Sequence, residues 1–218
     1  MVRHVIWVSC SMAKIGRNSL TTTVRVSLVG HSFIRRLRDA IRHKADLAFL
    51  DDFGLQNVRL DFVCKGGWKI LDIQDNLPSI ITQSPNIVLL QCGTNDLCSL
   101  SDPHTVADTI LGTAKMIRDA SHAHTVVVCQ ILHRNKVDTR YLTSVEELTK
   151  FNNNVDKANA FLKAVSAGYE GIKFWKHKGL CKKCDIFLCP DGVHLSAKGQ
   201  FKYYKSLRGA VVYSIKHA

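Results

Sequence analysis

Long apolar runs, internal repeats and low-complexity segments are absent from this sequence of 218 residues. No stretch approaches the roughly 18 consecutive apolar residues that a membrane-spanning helix requires, so we expect no transmembrane segment. The apolar stretch at residues 5–8 is too short for a secretion signal, and it is soon followed by Ser9, Ser11 and Lys14. We therefore predict an intracellular, cytoplasmic protein with reduced cysteines.

Acidic residues are scarce relative to basic ones. The chain has 18 Asp and Glu against 30 Lys and Arg, which gives a formal net charge of +12. Such a surface attracts polyanions, either nucleic acid or an anionic membrane, although solubility alone also explains a basic balance. The arginines at 35, 36, 38 and 42 fit a phosphate-binding helix, but a solvated helix face is the more usual explanation. No RNA-binding motif with interleaved aromatic residues accompanies them.

Apolar runs of strand length do occur, at residues 24–29, 58–63, 86–92, 125–132 and 171–175. Single helical patterns separate them, and this alternation predicts βαβ units with a parallel sheet. We therefore predict an α/β fold: a three-layer αβα sandwich, flavodoxin-like, with a central parallel sheet of about five strands. Residues 23–218 would form one domain, and residues 1–22 an N-terminal arm or an extra edge strand.

Ser32 follows the first predicted strand and its closing glycine, Gly30. The residues from Phe33 to Ile41 have helical periodicity, which places Ser32 at the N-terminus of a helix. Free backbone N–H groups and the positive end of the helix dipole favour a developing anion there. A serine before a helix is also typical of a simple N-cap, so this stretch alone leaves both roles open.

Asp191 and His194 stand three residues apart, between the last predicted strand and the last helix. At this spacing the carboxylate can reach a ring nitrogen of the histidine, leaving the other nitrogen to take a proton from serine. Pairs of this kind also arise by chance or as metal ligands. Because the carboxyl ends of parallel strands share one edge of a sheet, we expect this pair to lie near Ser32.

Three short blocks follow one another in a family-specific order: Gly30-His31-Ser32, Gly93-Thr94-Asn95-Asp96 and Asp191-Gly192-Val193-His194. Together they resemble the sequence blocks of the SGNH (GDSL-type) hydrolase superfamily, over roughly residues 24–215. Within that superfamily, the combination is similar to esterase domains in the open reading frames of LINE-type retrotransposons and in related invertebrate proteins. The absence of Gly-x-Ser-x-Gly around Ser32 argues against the α/β-hydrolase fold.

The resemblance implies an esterase or acylhydrolase with Ser32 as nucleophile, His194 as general base and then acid, and Asp191 as its orienting partner. It needs no cofactor or metal. The family's first block usually reads Gly-Asp-Ser, and His31 takes the place of the acid here. This departure leaves every implied member of the triad in place.

The resemblance also implies an oxyanion hole. Its donors would be the backbone N–H groups of Ser32 and Gly67, with Gly66 as the alternative, and the side-chain amide of Asn95. Glycine permits close backbone approach to a substrate, and a neutral amide donates a hydrogen bond without titrating. Trp68, next to this turn, either lines an acyl pocket or packs against the adjacent helix.

Cys181, Cys184 and Cys189, with His177 shortly before them, look like part of a zinc knuckle. The spacing to a fourth ligand is not a standard one, and a loop with paired thiols explains the same residues. We therefore predict no metal site and keep zinc at these four residues as the alternative.

These observations predict a serine esterase that acts on a small-molecule or lipid ester, with either a lipid or an acetylated sugar as substrate. The alternative is a catalytically weak domain of the same fold, acting as a basic interaction module with nucleic acid or an anionic membrane. His31 and the positive charge favour the alternative, whereas Ser32, Asn95, Asp191 and His194 favour the enzyme.

Overall fold

The computed structural model describes residues 22–43, 49–98, 102–137, 141–180 and 185–217. The predicted N-terminal arm, residues 1–22, therefore lies almost entirely outside the described part of the chain. Among the described helices, none is long and apolar enough to cross a membrane.

Five parallel strands form one central sheet in the order β2-β1-β3-β4-β5. The middle strands are almost wholly buried because apolar residues fill both of their faces, as expected for a parallel sheet covered on both sides. The strand bounds are β1 Val24–Gly30, β2 Val58–Cys64, β3 Ile87–Gln91, β4 Thr125–Cys129 and β5 Ile172–Trp175.

In the described ranges, seven α-helices connect and cover the strands, and a short 3-10 helix at Asp185–Phe187 precedes the last of them. The helix bounds are α1 Ser32–Arg42, α2 Ile70–Asp75, α3 Leu77–Ile81, α4 Thr94–Leu97, α5 Pro103–Ser121, α6 Val145–Ser166 and α7 Ala197–Lys216. Buried residues of α1 and α7 share one apolar core, and those of α2 to α6 share the other.

Each sheet face contributes alternate strand residues to one of these two cores. Leu28 of β1 and Leu89 of β3 face the core beneath α1 and α7, whereas Val29 and Leu90 face the opposite core. This alternation follows from the two-residue period of a strand. The predicted three-layer αβα sandwich with five parallel strands is confirmed.

Strand β4 ends three residues earlier than the predicted run, which extends to Leu132. Beyond it, side chains of α6 replace strand pairing: Asn159 accepts a hydrogen bond from the Ile131 N–H and donates one to the Ile131 carbonyl, both at 2.9 Å. Asn152 makes the same pair of bonds to Arg134, at 3.0 and 2.8 Å. The two asparagines are seven residues apart, which is two helical turns, so they lie on one face of α6.

The segment between β2 and β3 forms two helices, α2 and α3, divided at Asn76. Pro78 lies in the first turn of α3, where its missing N–H costs nothing, but it cannot continue a helix that began at Ile70. The Asn76 side-chain amide donates to the Asp72 carbonyl at 2.8 Å and closes the first of the two helices.

Candidate active site

The carboxyl ends of β1, β2 and β3 lie side by side and deliver the three loops that carry the predicted residues. Gly30, at the end of β1, pairs with Gln91 of β3. A Cβ atom at Gly30 would overlap the Gln91 carbonyl oxygen, so only glycine permits this approach. The chain leaving β1 therefore begins α1 directly beside the loop that follows β3.

Ser32 is the first residue of α1, and its side chain faces His194. The Ser32 Oγ lies 3.2 Å from the His194 Nε2. His31 occupies the N-cap position and makes no side-chain capping bond. The Ser32 hydroxyl is therefore not the N-cap of α1, and the simpler of its two roles does not apply.

Asp191 and His194 form one turn whose geometry fixes the imidazole. The Asp191 Oδ2 lies 2.8 Å from the His194 Nδ1, and Oδ1 accepts the backbone N–H groups of Val193 and His194, both at 2.9 Å. Partial burial raises the pKa of Asp191, but these hydrogen bonds outweigh it and lower the pKa to about 2. With Nδ1 donating to the carboxylate, Nε2 is the nitrogen that can accept the Ser32 proton.

Three sets of hydrogen-bond donors belong to residues that line one cleft together: Ser32, the glycine turn and Asn95. Within the described part of the chain, no acceptor is found for the backbone N–H groups of Ser32, Gly66 and Gly67. Gly67 has a φ of +82°, a conformation that favours glycine. The Asn95 amide donates to the Trp68 carbonyl at 2.9 Å, and this bond fixes the amide beside the glycine turn.

Asp96 holds this donor group together, a role that the sequence did not reveal. Its Oδ1 accepts the N–H of Ile70, the first residue of α2, at 3.0 Å. Burial raises the pKa of Asp96, although the bond from Ile70 lowers it in part. The loops after β2 and β3 are thereby joined at the site.

An open cleft of about 480 Å³ contains these groups. The predicted catalytic and oxyanion residues all line it, together with four residues that sequence reasoning missed. Arg35 is one helical turn after Ser32, so helix periodicity signalled its position, whereas Arg134 and Tyr141 lie near a loop whose shape the sequence does not give. The lining residues are Ser32, Arg35, Gly66, Gly67, Asn95, Arg134, Tyr141, Asp191, Val193 and His194.

Comparison with protein families gives a match over residues 19–206 to the family described as GDSL-like lipase/acylhydrolase. The chain belongs to the GDSL-like lipase/acylhydrolase family. Family membership supports an ester hydrolase activity. No curated protein matches the chain. The resemblance to the LINE-type esterase domains remains a prediction.

Solved structures share the GDSL-like fold along most of their length. A GDSL-like lipase from Bacteroides thetaiotaomicron is 18% identical with a TM-score of 0.63, covering 87% of this chain and 88% of its own. A carbohydrate esterase family 3 protein from Talaromyces cellulolyticus is 16% identical with a TM-score of 0.64, covering 90% and 100%. A lipolytic G-D-S-L family member from Veillonella parvula is 18% identical with a TM-score of 0.64, covering 85% and 97%.

Trp68 is not among the described residues that line the cleft, and its acyl-pocket role stays a prediction. Its partly buried side chain packs against the core on the α2 to α6 side of the sheet. What Trp68 contributes to the site is its backbone carbonyl, which accepts the Asn95 amide.

The zinc alternative receives no support from its two described residues. His177 is buried, and its ring nitrogens contact Ser206 Oγ at 2.8 Å and Gln91 Oε1 at 3.3 Å. The Cys189 thiol donates to the Leu195 carbonyl. Cys181 and Cys184 lie outside the described residues. Within the residues that are described, no three His, Cys, Asp or Glu side chains cluster as metal ligands.

His31 is buried beside the site and is neutral at pH 7. It is 1% exposed, and neither ring nitrogen has a hydrogen-bond partner among the described residues. Burial, with smaller contributions from His194 and Arg134, lowers its pKa to about 3. His31 is therefore neither a surface residue nor a second titrating group beside Ser32 at neutral pH.

Proposed function

We propose that this protein is an SGNH-type serine esterase that cleaves a carboxylic ester through an acyl-enzyme. The observation that carries the proposal is the continuous chain of contacts from Asp191 to His194 to Ser32, at 2.8 and 3.2 Å. A carboxylate, an imidazole and a hydroxyl in this order are the arrangement that activates a serine for acyl transfer.

In the first half-reaction, Ser32 Oγ attacks the ester carbonyl while its proton moves to His194 Nε2. The oxyanion that forms accepts hydrogen bonds from the Ser32 N–H, the N–H of Gly67 or Gly66, and the Asn95 amide. The carbon–oxygen bond to the alcohol then breaks, and the alcohol leaves with the proton from His194. An ester between the acyl group and Ser32 remains.

In the second half-reaction, water attacks this acyl ester and gives its proton to His194. The bond to Ser32 Oγ breaks, Ser32 recovers its proton, and the carboxylic acid leaves. Asp191 stays ionised throughout, because its hydrogen bonds hold its pKa near 2. Its role is to keep Nδ1 protonated and the ring oriented.

Two classes of ester substrate fit the candidate site. A lipid ester and an acetylated sugar are both consistent with the kinds of protein that share this fold, which include a lipase and a carbohydrate esterase. A volume of about 480 Å³ suits a small ester or one end of a larger one.

A fluorophosphonate probe tests the nucleophile without requiring the natural substrate. We expect mass spectrometry to locate the label on Ser32, and Ser32→Ala to lower p-nitrophenyl acetate hydrolysis by about 10⁴-fold. Ser79→Ala, a change at an exposed serine on α3, is the matched control. Equal rates for wild type and Ser32→Ala would refute the esterase proposal and favour the alternative, a basic interaction module. A salt-dependent mobility shift of single-stranded RNA by the protein would then support that alternative.

A further inference from the structure

We propose that Arg134 is a specificity-determining residue, which binds an anionic oxygen group, carboxylate or phosphate, on the ester held in the cleft. This inference rests on the proposed esterase function and names the substrate class for the same site. The geometry points to a buried guanidinium beside the triad, whose Nε and Nη1 atoms have no acceptor among the described residues.

Arg134 is only 5% exposed, yet it lines the cleft together with Ser32 and His194. Its Nε and Nη1 atoms are buried and make no hydrogen bond to any described residue. A buried charge is normally paired, because removing it from water is costly. A substrate oxyanion entering the cleft would supply the missing acceptor.

The position of Arg134 is fixed before any ligand binds. The side chain of Asn152 on α6 accepts a hydrogen bond from the Arg134 backbone N–H and donates one to the Arg134 carbonyl. The guanidinium carbon lies 5.2 Å from the centroid of the Phe151 ring, so one face of the planar, fork-shaped guanidinium packs against an aromatic ring. An aromatic face stabilises the charge but accepts none of its in-plane N–H bonds. Such a preorganised fork matches the paired oxygens of a carboxylate or phosphate.

Asp191, the acidic residue among the described lining residues of the cleft, is already engaged elsewhere. Both oxygens of Asp191 are bonded within its own turn, to Val193 and His194. Arg35, the second guanidinium in the cleft, pairs with Asp39 at 3.2 Å, and Arg134 has no such ion pair within the described chain. His31, which senses the Arg134 charge, is neutral at pH 7 and offers no counterion.

Matched pairs of anionic and neutral esters test the proposal through the ratio of their kcat/KM values. On the alcohol side, 4-acetoxybenzoate and 4-acetoxyphenyl phosphate are compared with neutral methyl 4-acetoxybenzoate. On the acyl side, the p-nitrophenyl monoester of adipic acid is compared with p-nitrophenyl hexanoate. We expect the wild type to prefer the anionic member in at least one arm, and the arm identifies the anion and its position.

Arg134→Gln should lower the anionic-to-neutral ratio of kcat/KM by about 10- to 100-fold, mainly through KM, because a hydrogen bond to a charged group is lost. Arg134→Lys should recover part of the ratio, since it keeps the charge without the fork. His31→Asp should also lower it by supplying an internal counterion. Arg59→Gln makes the same change of net charge at an exposed position on β2 and should keep the wild-type ratio.

A ratio that Arg134→Gln leaves unchanged in every arm, in an enzyme active on the neutral esters, would overturn the proposal while the esterase function stands. Binding provides a second measurement that needs no turnover. Phenyl phosphate should bind to Ser32→Ala in calorimetry, and about tenfold or more weakly to the Ser32→Ala/Arg134→Gln double variant. Equal binding by the two would also refute the anion site. Loss of all esterase activity with no Ser32 labelling would instead refute the proposed function.

Discussion

Two histidines, His31 and His177, are each 1% exposed, and burial is the largest cause that lowers the pKa of each to about 3. Their surroundings differ completely. His177 belongs to a saturated network in which its ring contacts Ser206 and Gln91, and Gln91 also accepts the Tyr203 hydroxyl at 3.0 Å. His31 has no hydrogen-bond partner among the described residues.

The difference separates two uses of buried polarity in one molecule. Around His177 every donor meets an acceptor, which specifies how α7 packs against β3 and β4. At the carboxyl edge of the sheet, groups without a hydrogen-bond partner in the described part of the chain accumulate instead: the imidazole of His31, two guanidinium nitrogens of Arg134 and the backbone donors near Ser32. Unpaired buried donors reduce stability and are the groups that a reacting ligand can use.

The largest effect should come from the hydrogen-bonded pair of Asp191 and His194 at the reactive edge. Asp191→Asn should lower kcat by about 10⁴-fold, because an amide does not hold the imidazole in the required tautomer. Folding should change little, since the Asp191 side chain is 46% exposed. Esterase assays with circular dichroism measure both quantities, and Asp75→Asn, an exposed carboxylate at the end of α2, is the control. Retention of wild-type kcat would contradict the role given to Asp191.

Replacing each buried histidine by leucine should give opposite signs. His177→Leu removes two buried contacts and should lower the free energy of unfolding by about 2 to 3 kcal/mol. His31→Leu removes no hydrogen bond and eliminates two unpartnered nitrogens, so it should raise this free energy by about 1 kcal/mol. Urea unfolding at pH 7 measures both. Equal destabilisation by the two changes would show that the comparison is wrong.

The two buried histidines should also share one pH dependence of stability, spread over several pH units. A histidine with a pKa of about 3 in the fold and 6.5 when unfolded binds its proton mainly in the unfolded state between these values. Stability should therefore fall as the pH decreases from 6.5 towards 3, by up to about 1.4 kcal/mol per pH unit for each histidine. The stability that Asp191 contributes through its lowered pKa is complete above its ordinary value of 3.8 and is lost as the pH falls from 3.8 towards 2.

Urea unfolding at several pH values between 7 and 4 checks this slope. Each leucine variant should lower the slope of unfolding free energy against pH by the amount that corresponds to about one bound proton. The double variant should nearly abolish the contribution of the two histidines. A slope that neither substitution changes would contradict the neutral, buried state of these rings.

Much of the fold was predictable because parallel strands leave a plain signal. Continuous apolar runs such as residues 86–92 and the glycines that close them specify where a strand ends and a loop begins. The end of β4 was not predictable, because side chains of the distant α6 take over its hydrogen bonds at Ile131. Tertiary contacts of this kind override a local pattern.

Two parts of the candidate site were predictable from local spacing, and the family resemblance added Asn95 and the glycine turn. Asp191 and His194 belong to one turn, and Ser32 comes two residues after the glycine that ends β1. The position of each is therefore indicated by its neighbours in the sequence. Arg134 gave no signal, since an arginine in a loop is usually exposed and its burial depends on Phe151 and Asn152 of another element. The packing side of Trp68 was ambiguous for the same reason.

Because the two asparagines of α6 hold the segment after β4, that segment and the helix can only be exchanged together. Grafting residues 131–136 from a relative would bring a new side chain to the cleft, but it would lose its anchorage unless Asn152 and Asn159 came with it. A one-residue insertion between the two asparagines would rotate one of them about 100° away from its target. The specificity proposed for Arg134 would thus depend on the register of a helix that contributes no side chain to the described lining of the cleft.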